Sequence, residues 1–192
     1  MYTLRQLTAA DRSEFRELRQ TALTVNADDF MLTAEEEKAI PRLSIESVLE
    51  EPAPCNFFLG AFAAGSGALI GIAGLITSDF RKTRHCGRLT SVFVHPAHRR
   101  HGIARTLVER LLARAEDGGL RSVRLEVVAG NGGAVGLYES LGFVPYGCEP
   151  AAYRLEDREW DLLLMTRDFA SSMNRAEGTP RGRGHGPSSM RG

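Results

Sequence analysis

The spacing of apolar residues changes period repeatedly along this chain, and each change predicts an element. Residues 2–7 alternate apolar and polar, the two-residue period of an edge strand. Asp11 is a fair N-cap, and beyond it Phe15, Leu18, Ala22 and Leu23 fall on one side of a helix running through about Val25. Thr33-x-x-Glu36 has capping-box form and opens a second, acidic helix, which Pro41 interrupts. A further short helix covers 42–49, and Glu51-Pro-Ala-Pro54 ends the helical portion. Residues 56–63 and 68–77 are short and apolar with Ala64-Gly-Ser-Gly67 between them, which predicts a β-hairpin. Residues 80–88, FRKTRHCGR, read as a basic, solvated loop in preference to a substrate- or phosphate-binding one.

The second half begins with a β-favouring run at 89–94, stopped by His95 and Pro96 because proline has no N–H for a sheet ladder. After Arg99-Arg100-His101-Gly102-Ile103-Ala104 the period becomes helical. Ile103, Leu107, Leu111 and Leu112 make the apolar stripe, with Arg105, Glu109 and Arg114 off it. Gly118-Gly119 stop that helix. Residues 121–128 predict a strand on which Glu126 faces opposite to Leu125 and Val127. Residues 131–140 predict a short helix whose first turn, with Gly132 and Gly133, is poor on propensity. Strands at 143–147 and 160–166 follow, joined by a loop through 149–159. The order β, α, α, ββ, then β–α–β–α–ββ suits an α+β (α/β-like) domain: a mixed sheet of about seven strands with helices on both faces.

A chain of 192 residues, 43% of them hydrophobic, sustains one domain with a sizeable core, here 1–169. Residues 170–192 are Gly, Ser, Pro and Arg with almost nothing to bury, and the expectation there is a disordered tail. Net charge is +0, so whole-molecule attraction to nucleic acid or to a membrane has no support. No apolar run approaches the ~20 residues of a membrane helix, and the N-terminus lacks a signal pattern. The three cysteines, Cys55, Cys86 and Cys148, are odd in number and widely spaced. They make neither a disulfide frame nor a zinc site, and reduced thiols in a cytoplasmic protein are the expectation. His95, His98 and His101 have a spacing of three, but Pro96 spoils a shared helical face, so no metal is expected.

The chemistry concentrates where the 89–94 strand turns into the next helix. The first N–H groups of a helix lack internal partners, and the macrodipole adds partial positive charge. Gly102 and Ala104 let a phosphate approach the backbone, while Arg99, Arg100 and Arg105 add full charges. The stretch reads as a pyrophosphate cradle; an ordinary basic helix start is the plainer alternative. Neither G-x-x-x-x-G-K-[ST] nor G-x-G-x-x-G is present, so nucleoside triphosphate and dinucleotide loops are unsupported.

Arg99-x-x-Gly102-x-Ala104 resembles the R/Q-x-x-G-x-G/A acetyl-coenzyme A signature of the GNAT superfamily of N-acetyltransferases. Leu125-Glu126-Val127, Asn131-x-x-Ala134, Leu137-Tyr138 and Gly142-Phe143 follow in that superfamily's order and spacing, so the resemblance runs from about residue 56 to 169. It implies the GNAT fold, in which two central parallel strands, here 89–94 and 121–128, splay apart around the pantetheine arm. It implies acetyl-CoA as cosubstrate, no metal, and transfer of acetyl to a primary amine by direct attack. By position, the backbone of Phe93 and Val94 would hold pantetheine. Arg99, Arg100, His101, Gly102, Ile103, Ala104 and Arg105 would hold diphosphate, with His101 offering its N–H. Tyr138 would be the general acid toward the sulfur as well as a coenzyme contact.

Glu126 resembles the base of the family members that acetylate protein N-termini, although L-E-V also occurs with other substrates; a strand salt bridge explains it equally. Asn131 either bonds pantetheine or caps the following helix. Tyr138 as a packed core tyrosine, and Cys148 as a passive thiol, are the plain alternatives to catalytic roles. The acidic stretch with Asp28, Asp29, Glu35, Glu36, Glu37, Glu46, Glu50 and Glu51 would draw a cationic amine or is simply a solvated face. A non-catalytic acetyl-CoA-binding or sensor domain on the same fold is the other functional reading. The identity of the amine and the oligomeric state, a homodimer included, stay open.

Overall fold

The alternation within strand β2, Phe57–Ala63, decides which helix covers which face of the sheet. Phe57, Leu59 and Ala61 join one buried cluster with the stripe of helix α4, Ile103–Asp117, whereas Phe58 and Phe62 join another with Phe15, Leu18 and Ala22 of helix α1, Arg12–Val25. Helices therefore pack on both faces, as expected. The computed structural model describes residues 1–169. The expected disordered tail, 170–192, lies outside the described residues.

The sheet has seven strands. The others are β1 (Tyr2–Gln6), β3 (Leu69–Thr77), β4 (Cys86–Val94), β5 (Ser122–Val128), β6 (Val144–Leu155) and β7 (Arg158–Asp168). Their order is β1-β2-β3-β4-β5-β7-β6, antiparallel throughout except for the parallel pair β4/β5. Helices α2 (Ala34–Ala39) and α3 (Ser47–Glu50) follow α1, and α5 (Gly132–Ser140) follows β5. Gly71 lets α4 lie close to the sheet: a Cβ there would meet Ile103 Cγ2 at 3.2 Å. Arg105 and Glu109 sit on the outer face of α4, 3.7 Å apart. Arg114 instead folds its guanidinium over the Phe57 ring, 3.5 Å from the centroid, and donates to Gln6 Oε1 at 2.8 Å.

Three local expectations change. The basic loop ends before Cys86, which pairs with Ser122, because the next two residues are held on both sides: Gly87 pairs with Thr77 and with Val123, and Arg88 with Ile76 and with Arg124. Two-sided pairing outweighs the poor strand propensity of Cys-Gly-Arg. The loop expected over 149–159 is strand, and β6 and β7 turn only at Glu156-Asp157. β6 is an exposed edge strand with two register shifts, so it carries no apolar alternation to read. The helix expected over 42–49 is a 3₁₀ turn at Ser44–Glu46 continuing into α3.

The carboxylate of Asp11 does not cap α1 through its side chain. It accepts from both Nη1 and Nη2 of Arg5, at 2.8 and 2.6 Å, and from the Thr8 amide at 2.9 Å. The Arg5 guanidinium, against the opposing effect of burial, pulls the Asp11 carboxyl from its ordinary 3.8 to about 2. A lowered folded-state pKa contributes stability that is present above pH 3.8 and is lost as pH falls through about 2. Arg5 is half exposed, so solvent screening holds the effect to about 1 kcal/mol. Denaturant titrations should show a wild-type margin over Asp11→Asn that is flat from neutral pH to about pH 4 and closes toward pH 2. A margin independent of pH would mean that the ion pair contributes nothing.

Candidate functional site

β4 and β5 pair at only three positions, Cys86↔Ser122, Gly87↔Val123 and Arg88↔Arg124, although β4 continues to Val94 and β5 to Val128. The sheet opens there into a wedge. A bulge starts the divergence. Thr90 pairs with Gly74 and Phe93 with Ile72, which leaves Ser91 and Val92 opposite the single residue Ala73. Ser91 has φ 53°, a left-handed conformation costly for a residue with a Cβ. It is held by Arg19 of α1, whose Nη1 donates to Ser91 Oγ at 2.8 Å. Arg19 Nε in turn donates to both carboxylate oxygens of Glu37 on α2, at 3.0 and 3.1 Å, and both side chains are buried. This ion pair ties α1 and α2 to the strained turn of β4.

A cavity of about 840 Å³ occupies the wedge. Its walls are residues 88–94 of β4 and 125–128 of β5, and it extends onto the start of α4 and onto residues 29–32 and 43–45. β4 hydrogen bonding alternates sides. His95 donates its N–H to Ile70 O of β3 at 2.9 Å, and two residues earlier the backbone of Phe93 serves β3 as well. The Val94 amide is therefore the one left facing the wedge, while Val94 O accepts from Arg99 Nε at 3.1 Å. Both residues line the cavity.

At the far end of β4, Gly102 adopts φ 74° and nothing lies within 4 Å of where its Cβ would be. The first internal bond of α4 runs from Thr106 N–H to Gly102 O at 3.0 Å, so the amides of Ile103, Ala104 and Arg105 precede the ladder. These residues, with Arg99 and Arg100, line the cavity. Arg99 is engaged within the chain: Nη2 donates to Asn26 Oδ1 at 2.6 Å, and its guanidinium lies 5.5 Å from the Phe93 ring centre. Arg105 reaches Ser140 Oγ on α5 at 2.8 Å. His101 stands apart from the rest of the turn. Its exposed ring is not among the cavity walls, and Nδ1 lies 2.8 Å from Arg99 O.

The other expected residues converge on the same cavity. Tyr138, on α5, is buried with its ring edge-on to Phe143 at 5.8 Å, and its hydroxyl makes no hydrogen bond among the described residues. Burial, with a smaller contribution from the charge of Asp29, holds its phenol well above the ordinary range, so it keeps its proton at neutral pH. Glu126 projects away from Leu125 and Val127, lines the cavity, and lies 3.4 Å from Arg88 Nη1. Asn131 caps α5, its Oδ1 accepting from Ala134 N–H at 3.0 Å, and also borders the cavity.

Sequence reasoning did not single out Arg88, Tyr153, Ser91, Arg19 or Asn26, all on the cavity wall, although Arg88 ends the basic stretch for which substrate or phosphate binding was the alternative. Tyr153 stood in a supposed loop, and Arg88 closed a supposed basic one. No local motif marks Asn26 or Arg19. Among the described residues no cluster of three or more His, Cys, Asp or Glu side chains is arranged to hold a metal ion. Among the same residues no helix is long and apolar enough to cross a membrane.

Comparison with known proteins adds to this geometry. The family model described as acetyltransferase (GNAT) family matches residues 13–143. N-alpha-acetyltransferase RimI of Mycobacterium tuberculosis is 34% identical over 123 residues, covering 62% of this chain and 70% of that protein. [Ribosomal protein bS18]-alanine N-acetyltransferase of Escherichia coli (strain K12) is 36% identical over 77 residues, covering 40% of this chain. The match spans about half of that relative, 52% of its length. Among solved structures, yncA from Salmonella typhimurium, determined with its cofactor acetyl-CoA, superposes with TM-score 0.71 over 96% of this chain and 99% of its own, at 20% identity. That likeness is one of fold.

Proposed function

The chain belongs to the acetyltransferase (GNAT) family, and from that premise we propose that it is an N-acetyltransferase, moving the acetyl group of acetyl-CoA onto a primary amine. One observation carries the reading: the wedge between β4 and β5 ends on the open amides of α4. The coenzyme fits the residues present. The Ile103, Ala104 and Arg105 amides and the bare Cα of Gly102 suit a diphosphate, and Arg100 adds charge beside them. The Val94 amide, left facing the wedge, suits the pantetheine arm. His101 contributes through its main chain alone in this scheme.

Acetyl-CoA supplies a thioester, with an electrophilic carbonyl carbon and a thiolate leaving group. Val94 N–H, aimed into a space lined by apolar side chains, polarises the carbonyl oxygen. Glu126 removes a proton from the incoming ammonium so that nitrogen can attack, directly or through one water. Tyr138 delivers its proton to the sulfur as the C–S bond breaks. The base and the acid have different settings, one carboxylate in a half-open position and one buried phenol.

The names of the curated relatives favour a protein N-terminal α-amine as acceptor. Free thiols at Cys55, Cys86 and Cys148 favour the cytoplasm. The test is release of free thiol from acetyl-CoA, followed over a panel of amines and amino-terminal peptides. Amine-dependent release is expected. Tight acetyl-CoA binding with no release for any acceptor would overturn catalysis and leave a carrier or sensor. Glu126→Gln should lower kcat/KM about 10²-fold at neutral pH, with activity recovering steeply as alkali deprotonates the amine in solution. An unaltered pH–rate profile in that variant would remove Glu126 from the proton path.

A further inference from the structure

Most of the charged side chains around the cavity are already engaged. Arg19 is closed by Glu37, Asp29 accepts from Asn26 Nδ2 at 2.8 Å, Arg99 is bound to Asn26 and Val94, and Arg105 to Ser140 and Glu109. Arg100 belongs to the diphosphate end. At the opposite end, where β4 and β5 part, stand Arg88 and Glu126. Their separation of 3.4 Å exceeds the 2.7–3.2 Å of a made N–H···O hydrogen bond. Their side chains are 64% and 40% exposed. This is a loose pair, open to insertion, on a rigid base, because Arg88 occupies the last paired position of β4 against β5. Tyr153 of β6, half buried, borders the same cavity. Burial above all, reinforced by the charge of Glu126, raises its phenol, so it stays a hydrogen-bond donor.

Resting on the acetyltransferase reading, we propose that Arg88 determines acceptor specificity: with Glu126 it takes an α-amino acyl group, the ammonium on Glu126 and the neighbouring carbonyl or carboxylate oxygen on Arg88. The covalent geometry of N–Cα–C=O holds its nitrogen and oxygen roughly 3 Å apart. Such a group therefore bridges a carboxylate and a guanidinium standing side by side. A plain alkylamine satisfies Glu126 and leaves the guanidinium without a partner. A polyamine brings its further positive charges against Arg88 and is turned away. Planar and always charged, the guanidinium suits an oxygen with two lone pairs better than an ammonium would. The α-amino acyl group arises from two sources, a peptide N-terminus and a free amino acid, and in the second the oxygen carries full charge.

The test compares wild type, Arg88→Gln and Arg88→Lys with four acceptors: Ala-Ala amide, free L-alanine, isopropylamine and spermidine. The quantity read is kcat/KM for each alanyl acceptor divided by that for isopropylamine, so that changes common to all amines cancel. In Arg88→Gln this ratio should fall at least tenfold, mainly through KM, while spermidine improves relative to isopropylamine. Arg88→Lys should recover part of the ratio. A larger loss for free alanine than for the amide assigns the site to amino acids, and the reverse assigns it to peptide N-termini. A ratio unchanged in Arg88→Gln, with wild type active, overturns the role of Arg88 and leaves the acetyltransferase reading intact. A wild type inactive with all four acceptors overturns the acetyltransferase reading and Arg88 with it.

Discussion

Tyr138→Phe lowers kcat by about 10³-fold and leaves acetyl-CoA affinity within about twofold: that is the expected result for a general acid whose ring packs while its hydroxyl works. The substitution removes one oxygen and keeps the edge-on contact with Phe143. The hydroxyl has no partner among the described residues, so its loss unmakes no internal hydrogen bond and the domain stays folded. A purely structural tyrosine gives the opposite pattern, unchanged turnover with at most a small shift in stability. Steady-state kinetics and calorimetry on the same preparation separate the two. Turnover retained within a few-fold would leave the leaving thiolate to be protonated by water and would take Tyr138 out of the mechanism.

Gly102→Glu is expected to cost about 10³-fold in acetyl-CoA affinity with the domain still folded. Space is not the obstacle at this position, since nothing lies within 4 Å of the added Cβ. The left-handed backbone, at φ 74°, charges the folded state roughly 1 kcal/mol for any side chain. The larger effect falls on the ligand. A carboxylate placed before the free amides of Ile103, Ala104 and Arg105 competes for them and repels the diphosphate. Losing two charge-assisted hydrogen bonds, each about 2 kcal/mol, accounts for the expected magnitude. Gly102→Ala is the control. It bears the backbone strain without the charge and should lose far less. Calorimetry that finds wild-type affinity in the glutamate variant would move the coenzyme away from this turn.

Legibility in the sequence followed what each segment buries. The α4 stripe and the alternation in β5 were plain because one face of each meets a core cluster, and the apolar run of β2 was plain because both of its faces do. β6 was illegible beyond its first few residues for the opposite reason: it is an edge with exposure on most positions, and its wide bulge at 150–152 erases the two-residue period. The cradle around Gly102 was readable because its chemistry needs contiguous residues. The acceptor end was not, because it is assembled from β4, β5 and β6. Arg88, Glu126 and Tyr153 are far apart along the chain and meet only through the register of four strands, with β7 between β5 and β6. Asn131 illustrates a different limit. Capping and ligand contact ask for the same side chain, and the structure shows the cap on a residue that also borders the cavity.

The three-rung join between β4 and β5 has a consequence for the molecule as a whole. Four strands lie on one side of it and three on the other, so the sheet is in effect two plates sharing a short seam. A polar chain threaded along the gap supplies rungs that the protein lacks. Occupancy then stiffens the whole scaffold as well as filling a hole, and any molecule that completes the ladder is favoured by the folding equilibrium itself.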